Sequence, residues 1–163
     1  MQSLPHIALD LLCQREHSRL ELRHKLRKRG FAIEAIDGLL DTLEQQNVLS
    51  DARFAEAYVH KRSQQGYGPE RIKCELNRRG VCVGLIDRTL TALAWQDLAQ
   101  RVWQKKFSQH KDADLATCLK QMRFLHYRGF SREQIESVVN TASRQAHIPL
   151  KHAQGWGKRL PSK

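Results

Sequence analysis

Apolar residues along this chain fall into stripes of helical period, and the stripes recur. Ile36, Leu40 and Leu43 follow i, i+4, i+7 spacing, one face of a helix. Fifty residues on, the same spacing carries Ile86, Leu90 and Leu93, and 49 residues later it carries Ile135, Val139 and Ala142. Each stripe begins six residues past a glycine: Gly30, Gly80 and Gly129. Each glycine follows an arginine (Arg29, Arg79, Arg128) and precedes an apolar residue (Phe31, Val81, Phe130). A leucine stands four residues before each of them: Leu26, Leu76 and Leu125. Farther upstream, Leu4, Phe54 and Trp103 lie 26 residues before the glycines, and Ala8, Tyr58 and Phe107 lie 22 before. Each unit thus offers three apolar stripes, which predicts three helices that bury against one another. Recurrence at this period is the mark of a repeat array.

Local punctuation agrees. Ser18 with Glu21 forms a capping-box pattern opening the second helix of the first unit, and Ser131 with Gln134 does the same for the third helix of the last. Gly68-Pro69 opens the matching helix of the second unit, with Pro69 at its first position. Gly30, Gly80 and Gly129 stand where a helix ends in the left-handed conformation. No alternating run reads as a strand. The expected fold is all-α: three tandem three-helix repeats, helix-turn-helix-like, over residues 1–47, 48–96 and 97–145, followed by a flexible basic tail over 146–163.

Composition narrows the function. No apolar run reaches the roughly 20 residues needed to cross a bilayer, and the N-terminus lacks the pattern of a signal peptide, so a cytoplasmic location without membrane contact is expected. Cys13, Cys74, Cys82 and Cys118 have no metal-ligand or redox spacing, and neither a metal nor a cofactor is expected. Phosphate-loop, dinucleotide and nucleophile-elbow motifs are absent, which argues against an enzyme. The acids Glu34, Asp37, Asp41 and Glu44 alternate with Ile33, Ile36, Leu40 and Leu43, so they read as the solvated face of one helix.

The formal net charge is +11, which favours a polyanion or an acidic protein face. Residues 1–50 carry seven Lys/Arg and seven Asp/Glu, whereas 51–96 carry eight and five, 97–144 nine and five, and 145–163 four and none. Helix C-termini attract cations, which accounts for only part of the pattern at Arg27, Lys28 and Arg29 and at Arg78 and Arg79, and Arg62, Arg71 and Lys73 lie away from those ends. Phe54, Tyr58, Trp103 and Phe107 fit core positions. Tyr67 sits between Gly66 and Gly68, either on a contact loop or folded over a joint between helices. Arg62, Tyr67, Arg71, Lys73, Arg78 and Arg79 are therefore the candidate partner- or DNA-binding residues, while Asp51 and Arg53 read as a structural pair at a helix start.

One family resemblance adds to this. Leu49-Ser50-Asp51-Ala52-Arg53-Phe54-Ala55, then Gly66-Tyr67-Gly68-Pro69-Glu70-Arg71-Ile72 and Glu75-Leu76-Asn77-Arg78-Arg79-Gly80, resembles the central signature of the RecX family. Arg15 to Ser18 with Glu21, Leu22, Arg23, Lys25 and Leu26 resembles its N-terminal unit, and Phe124, Leu125 and Tyr127 to Phe130 its C-terminal unit. The last unit departs from the pattern at Gln121, where Leu22 and Ile72 are apolar. The resemblance implies an elongated, curved array that binds in the groove of the RecA–DNA filament. It implies inhibition of RecA ATPase, strand exchange and coprotease activity, by blocking filament extension or promoting disassembly. It also implies some affinity for single- and double-stranded DNA with weak sequence preference. A monomer is expected. The alternative is a helix-turn-helix-like DNA-binding protein or repressor acting without RecA.

Overall fold

The computed structural model describes residues 3–108 and 114–145, with side chains through residue 141. Among the described residues there are nine helices and no strand: α1 (Leu4–Gln14), α2 (Arg19–Lys28), α3 (Ile33–Gln45), α4 (Asp51–Gln64), α5 (Pro69–Arg78), α6 (Val83–Leu90), α7 (Trp95–Phe107), α8 (Leu115–Arg128) and α9 (Arg132–Gln145). The tail over 146–163 lies outside the described residues. None of these helices is long and apolar enough to cross a membrane.

The stripes become three cores. Ala8, Leu22, Leu26, Ile36 and Leu40 close the first, with Leu49 from the link to α4 packed into it. Phe54, Ile72, Leu76, Val81 and Ile86 close the second, and Ala99, Leu125, Phe130, Ile135 and Val139 the third. Within each unit the glycine after the second helix takes a positive φ (88° at Gly30, 79° at Gly80, 87° at Gly129), which reverses the chain and delivers the next residue to its core.

The capping boxes differ in completeness. At Ser131 both halves form: Gln134 N–H donates to Ser131 Oγ, and Ser131 N–H donates to Gln134 Oε1. At Ser18 the hydroxyl accepts from Glu21 N–H, but the Glu21 carboxylate accepts from Arg15 and Arg79. The stripe through Leu93 also needs correction. Helix α6 stops at Leu90 after eight residues, and Leu93 lies beyond it, 37% exposed. Trp95 ends the helix by donating its indole N–H to the Leu90 carbonyl at 2.7 Å, and its ring joins the second core. The side chain of Ala142 lies outside the described ones.

Candidate partner-binding surface

The units join by one recurring device: the C-terminus of the second helix of one unit meets the N-terminus of the second helix of the unit before it. Between the second and third units, Gly68 N–H donates to the Arg128 carbonyl at 2.8 Å and Glu70 N–H to the Gly129 carbonyl at 3.0 Å. Orphan donors of α5 thus satisfy orphan acceptors of α8. The approach is tight: a Cβ on Gly68 would lie 2.3 Å from the Gly129 carbonyl oxygen, and one on Gly129 2.3 Å from Arg71 Cβ. Between the first and second units, Ser18 Oγ donates to the Arg79 carbonyl at 2.7 Å. Asp51 and Arg53 do not pair with each other. Asp51 accepts from Arg19 N–H at 2.8 Å, and Arg53 donates to Glu16 at 2.8 Å, so both tie the second unit to the first.

Glu75 on α5 organises the cluster nearest the second joint. Its carboxylate accepts from Arg62 Nε at 2.7 Å, from the Tyr58 hydroxyl at 2.8 Å and from Arg71 Nε at 3.1 Å. Burial alone would push this carboxyl up, but the hydrogen bonds from Arg62, Tyr58 and Arg71 outweigh it and hold the group down to about 2. Burial, followed by the bond to Glu75, pushes the Tyr58 phenol up to about 12. The guanidinium carbons of Arg62, Arg71 and Arg128 lie 3.8, 4.6 and 5.1 Å from the Tyr67 ring centroid. The Tyr67 ring thus lies against cations from α4, α5 and α8.

The six residues singled out from the sequence separate accordingly. Arg62, Tyr67 and Arg71 come together around Glu75. Arg79 lies at the other joint, donating to Glu21 at 3.0 Å with its guanidinium 4.5 Å from the Tyr58 ring centroid. Lys73 pairs with Asp87 at 2.6 Å on the surface. Arg78 is exposed and makes no ion pair among the described residues. Sequence reasoning missed a second basic feature. Arg101, Lys105 and Lys106 of α7 and Arg128 of α8 rim a cleft of about 910 Å³ between the second and third units, with Leu93, Val102 and Phe124 among its walls. Helical spacing of Arg101 and Lys105 at i, i+4 was the available signal. Arg123 and Tyr127, both exposed on α8, were missed as well.

Three family models, described as the first, second and third three-helix domains of RecX, match residues 6–43, 50–90 and 95–139. The chain belongs to the RecX family. Its relatives include "Regulatory protein RecX" of Pseudomonas entomophila strain L48, 45% identical over 135 residues, covering 82% of this chain and 87% of that protein. The protein of the same name from Ectopseudomonas mendocina strain ymp is 45% identical over 134 residues, covering 81% and 89%. The fold is shared with a crystal structure of RecX from Lactobacillus salivarius, at a TM-score of 0.77 and 20% identity, covering 86% of this chain and 95% of that one. A second crystal structure, of a regulatory protein RecX, gives a TM-score of 0.74 at 22% identity, covering 84% and 70%. As a member of this regulatory family the chain keeps all three RecX domains in order, and the joints described above lie between those domains.

Proposed function

We propose that this chain binds the RecA–DNA filament and mainly inhibits RecA ATPase, strand exchange and coprotease activity, by blocking filament extension or promoting disassembly. The observation that carries this is the full set of three RecX domains in series, in a relative of proteins named for regulation. The physical form suits the task. Units joined end to end by backbone hydrogen bonds and ion pairs can span adjacent subunits of a helical polymer, and exposed cations such as Arg78, Arg101 and Arg123 suit phosphate or acidic protein. In this proposal Arg78 makes direct contact, Arg71 and Lys73 contribute at the edge, and Arg62, Tyr67 and Arg79 hold the joints in register.

The test is RecA ATPase on single-stranded DNA with the protein added substoichiometrically. A fall in rate with shortening filaments is expected, and an unchanged rate and filament length would overturn the proposal. The repressor alternative fares worse on one observation. In a helix-turn-helix the helix after the turn reads the groove, which calls for donors on it. Here α3 carries no Lys or Arg but has Glu34, Asp37, Asp41 and Glu44, α6 offers Val83, Gly84 and Asp87 with Arg88 alone, and only α9 carries two arginines, Arg132 and Arg144, the first of them paired with Glu136.

A further inference from the structure

Among the described residues every Phe, Trp and Tyr is buried or half-buried except Tyr127, which is 80% exposed. The rings that look available from sequence are already occupied. Tyr67 has Arg62 and Arg71 against it, and Phe124 in the cleft has Lys106 at 4.0 Å and Arg128 at 5.3 Å. Among the described residues the one cation facing the Tyr127 ring is Arg71, 6.0 Å from its centroid.

The position of Tyr127 is set by the repeat. It lies two residues before Gly129, where the first unit has Lys28 and the second Arg78, and all three are exposed. Four residues earlier on the same helical face stand His24, Cys74 and Arg123, again exposed in every unit. In the third unit Lys120 extends that face by another turn, and neither Lys120 nor Arg123 makes an ion pair among the described residues. Two units place an exposed cation at this repeat position, and the third places an exposed ring, with Arg123 and Lys120 on the preceding turns of its helix and Arg71 across the joint.

We propose that Tyr127 is a base-stacking site for single-stranded nucleic acid, with Lys120, Arg123 and Arg71 holding the phosphates of the stacked nucleotide and its neighbours. A ring that is bare to water gains by stacking on an unpaired base, whatever the base, whereas a duplex keeps its bases inside and offers the ring nothing. Cations two and one turns away on the helix reach the backbone of the same strand. Tyr127 therefore confers preference for single strands, while Arg78 and Lys28 act on any polyanion. This deepens the proposed function, resting on its claim that DNA is part of the target.

The experiment measures binding of the full chain to a fluorescent oligo-dT and to a duplex of equal length, without RecA, for the wild type, Tyr127→Ala and Tyr127→Phe. Tyr127→Ala should lose about tenfold or more in oligo-dT affinity with duplex affinity unchanged, and Tyr127→Phe should retain both. Wild-type oligo-dT affinity in Tyr127→Ala, or an equal loss on oligo-dT and duplex, overturns the inference. The same variants in the RecA ATPase assay separate it from the functional proposal. If Tyr127→Ala keeps oligo-dT binding but loses inhibition, the ring contacts protein; the inference fails and the function stands. If the wild type discriminates strands through Tyr127 yet leaves RecA unaffected, the inference stands and the function fails.

Discussion

The indole N–H of Trp103 donates to Oε1 of Gln121 at 3.0 Å, and the two residues occupy the repeat positions held by Leu4 and Leu22 in the first unit and Phe54 and Ile72 in the second. Gln121 is 6% exposed, so its amide is admitted to the third core only because the indole satisfies it. Replacing Trp103 by Phe should cost about 1–3 kcal/mol, the usual penalty for a buried acceptor left unpaired. Adding Gln121→Leu should restore most of that loss, so that in a double-mutant cycle measured by urea unfolding the double variant costs less than the sum of the two single variants.

Glycine substitutions should divide by position. Gly38, inside α3, has nothing within 4 Å of where a methyl group would stand, so Gly38→Ala should stabilise by about 0.5–1 kcal/mol. Gly129→Ala forces a side chain onto a φ of 87° and into Arg71, and should destabilise by roughly 2 kcal/mol or more. Thermal melts of the two variants should move in opposite directions.

Glu75 ties the second joint to pH. With its folded carboxyl near 2 against an ordinary 4.5, the unfolded chain binds the proton first as pH falls. The contribution is complete above about pH 4.5 and is lost as pH falls through about 2. After solvent screening its size is on the order of 1–2 kcal/mol. Urea titrations from pH 6 to pH 2 should show a steeper decline for the wild type than for Glu75→Gln, which cannot titrate there.

Charge removal should separate contact from scaffold. Replacing Arg71, Lys73 and Arg78 together by Ala should weaken RecA inhibition and its salt dependence while circular dichroism stays helical. Arg62→Ala removes two hydrogen bonds to Glu75 and the triple variant removes the one from Arg71, so both should lower the melting temperature, Arg62→Ala the more. Full inhibition by the triple variant would show that these cations serve the fold alone.

Leu76 tests the repeat itself. It is fully buried beside Ile72 and Ile86, four residues before Gly80, and Leu76→Ala should cost about 2–5 kcal/mol in chemical unfolding. The equivalent Leu26 and Leu125 should behave alike, since each is fully buried in its own core.

The sequence by itself determined the three units, their cores and their glycine turns, because these depend on contacts within some forty residues and print a period on the chain: Leu26, Leu76 and Leu125 are buried for one local reason. Only the tertiary structure decided which cations are free. Arg79 meets Glu21, Arg53 meets Glu16 and Arg71 reaches the Tyr127 carbonyl, each across a joint between units. Such pairings follow from how one unit seats on the next, and helical periodicity carries no record of that. For the same reason the exposure of Tyr67 and Tyr127 was not legible: the loop ring between two glycines has three guanidinium groups against it, and the helical ring is the one left open to solvent.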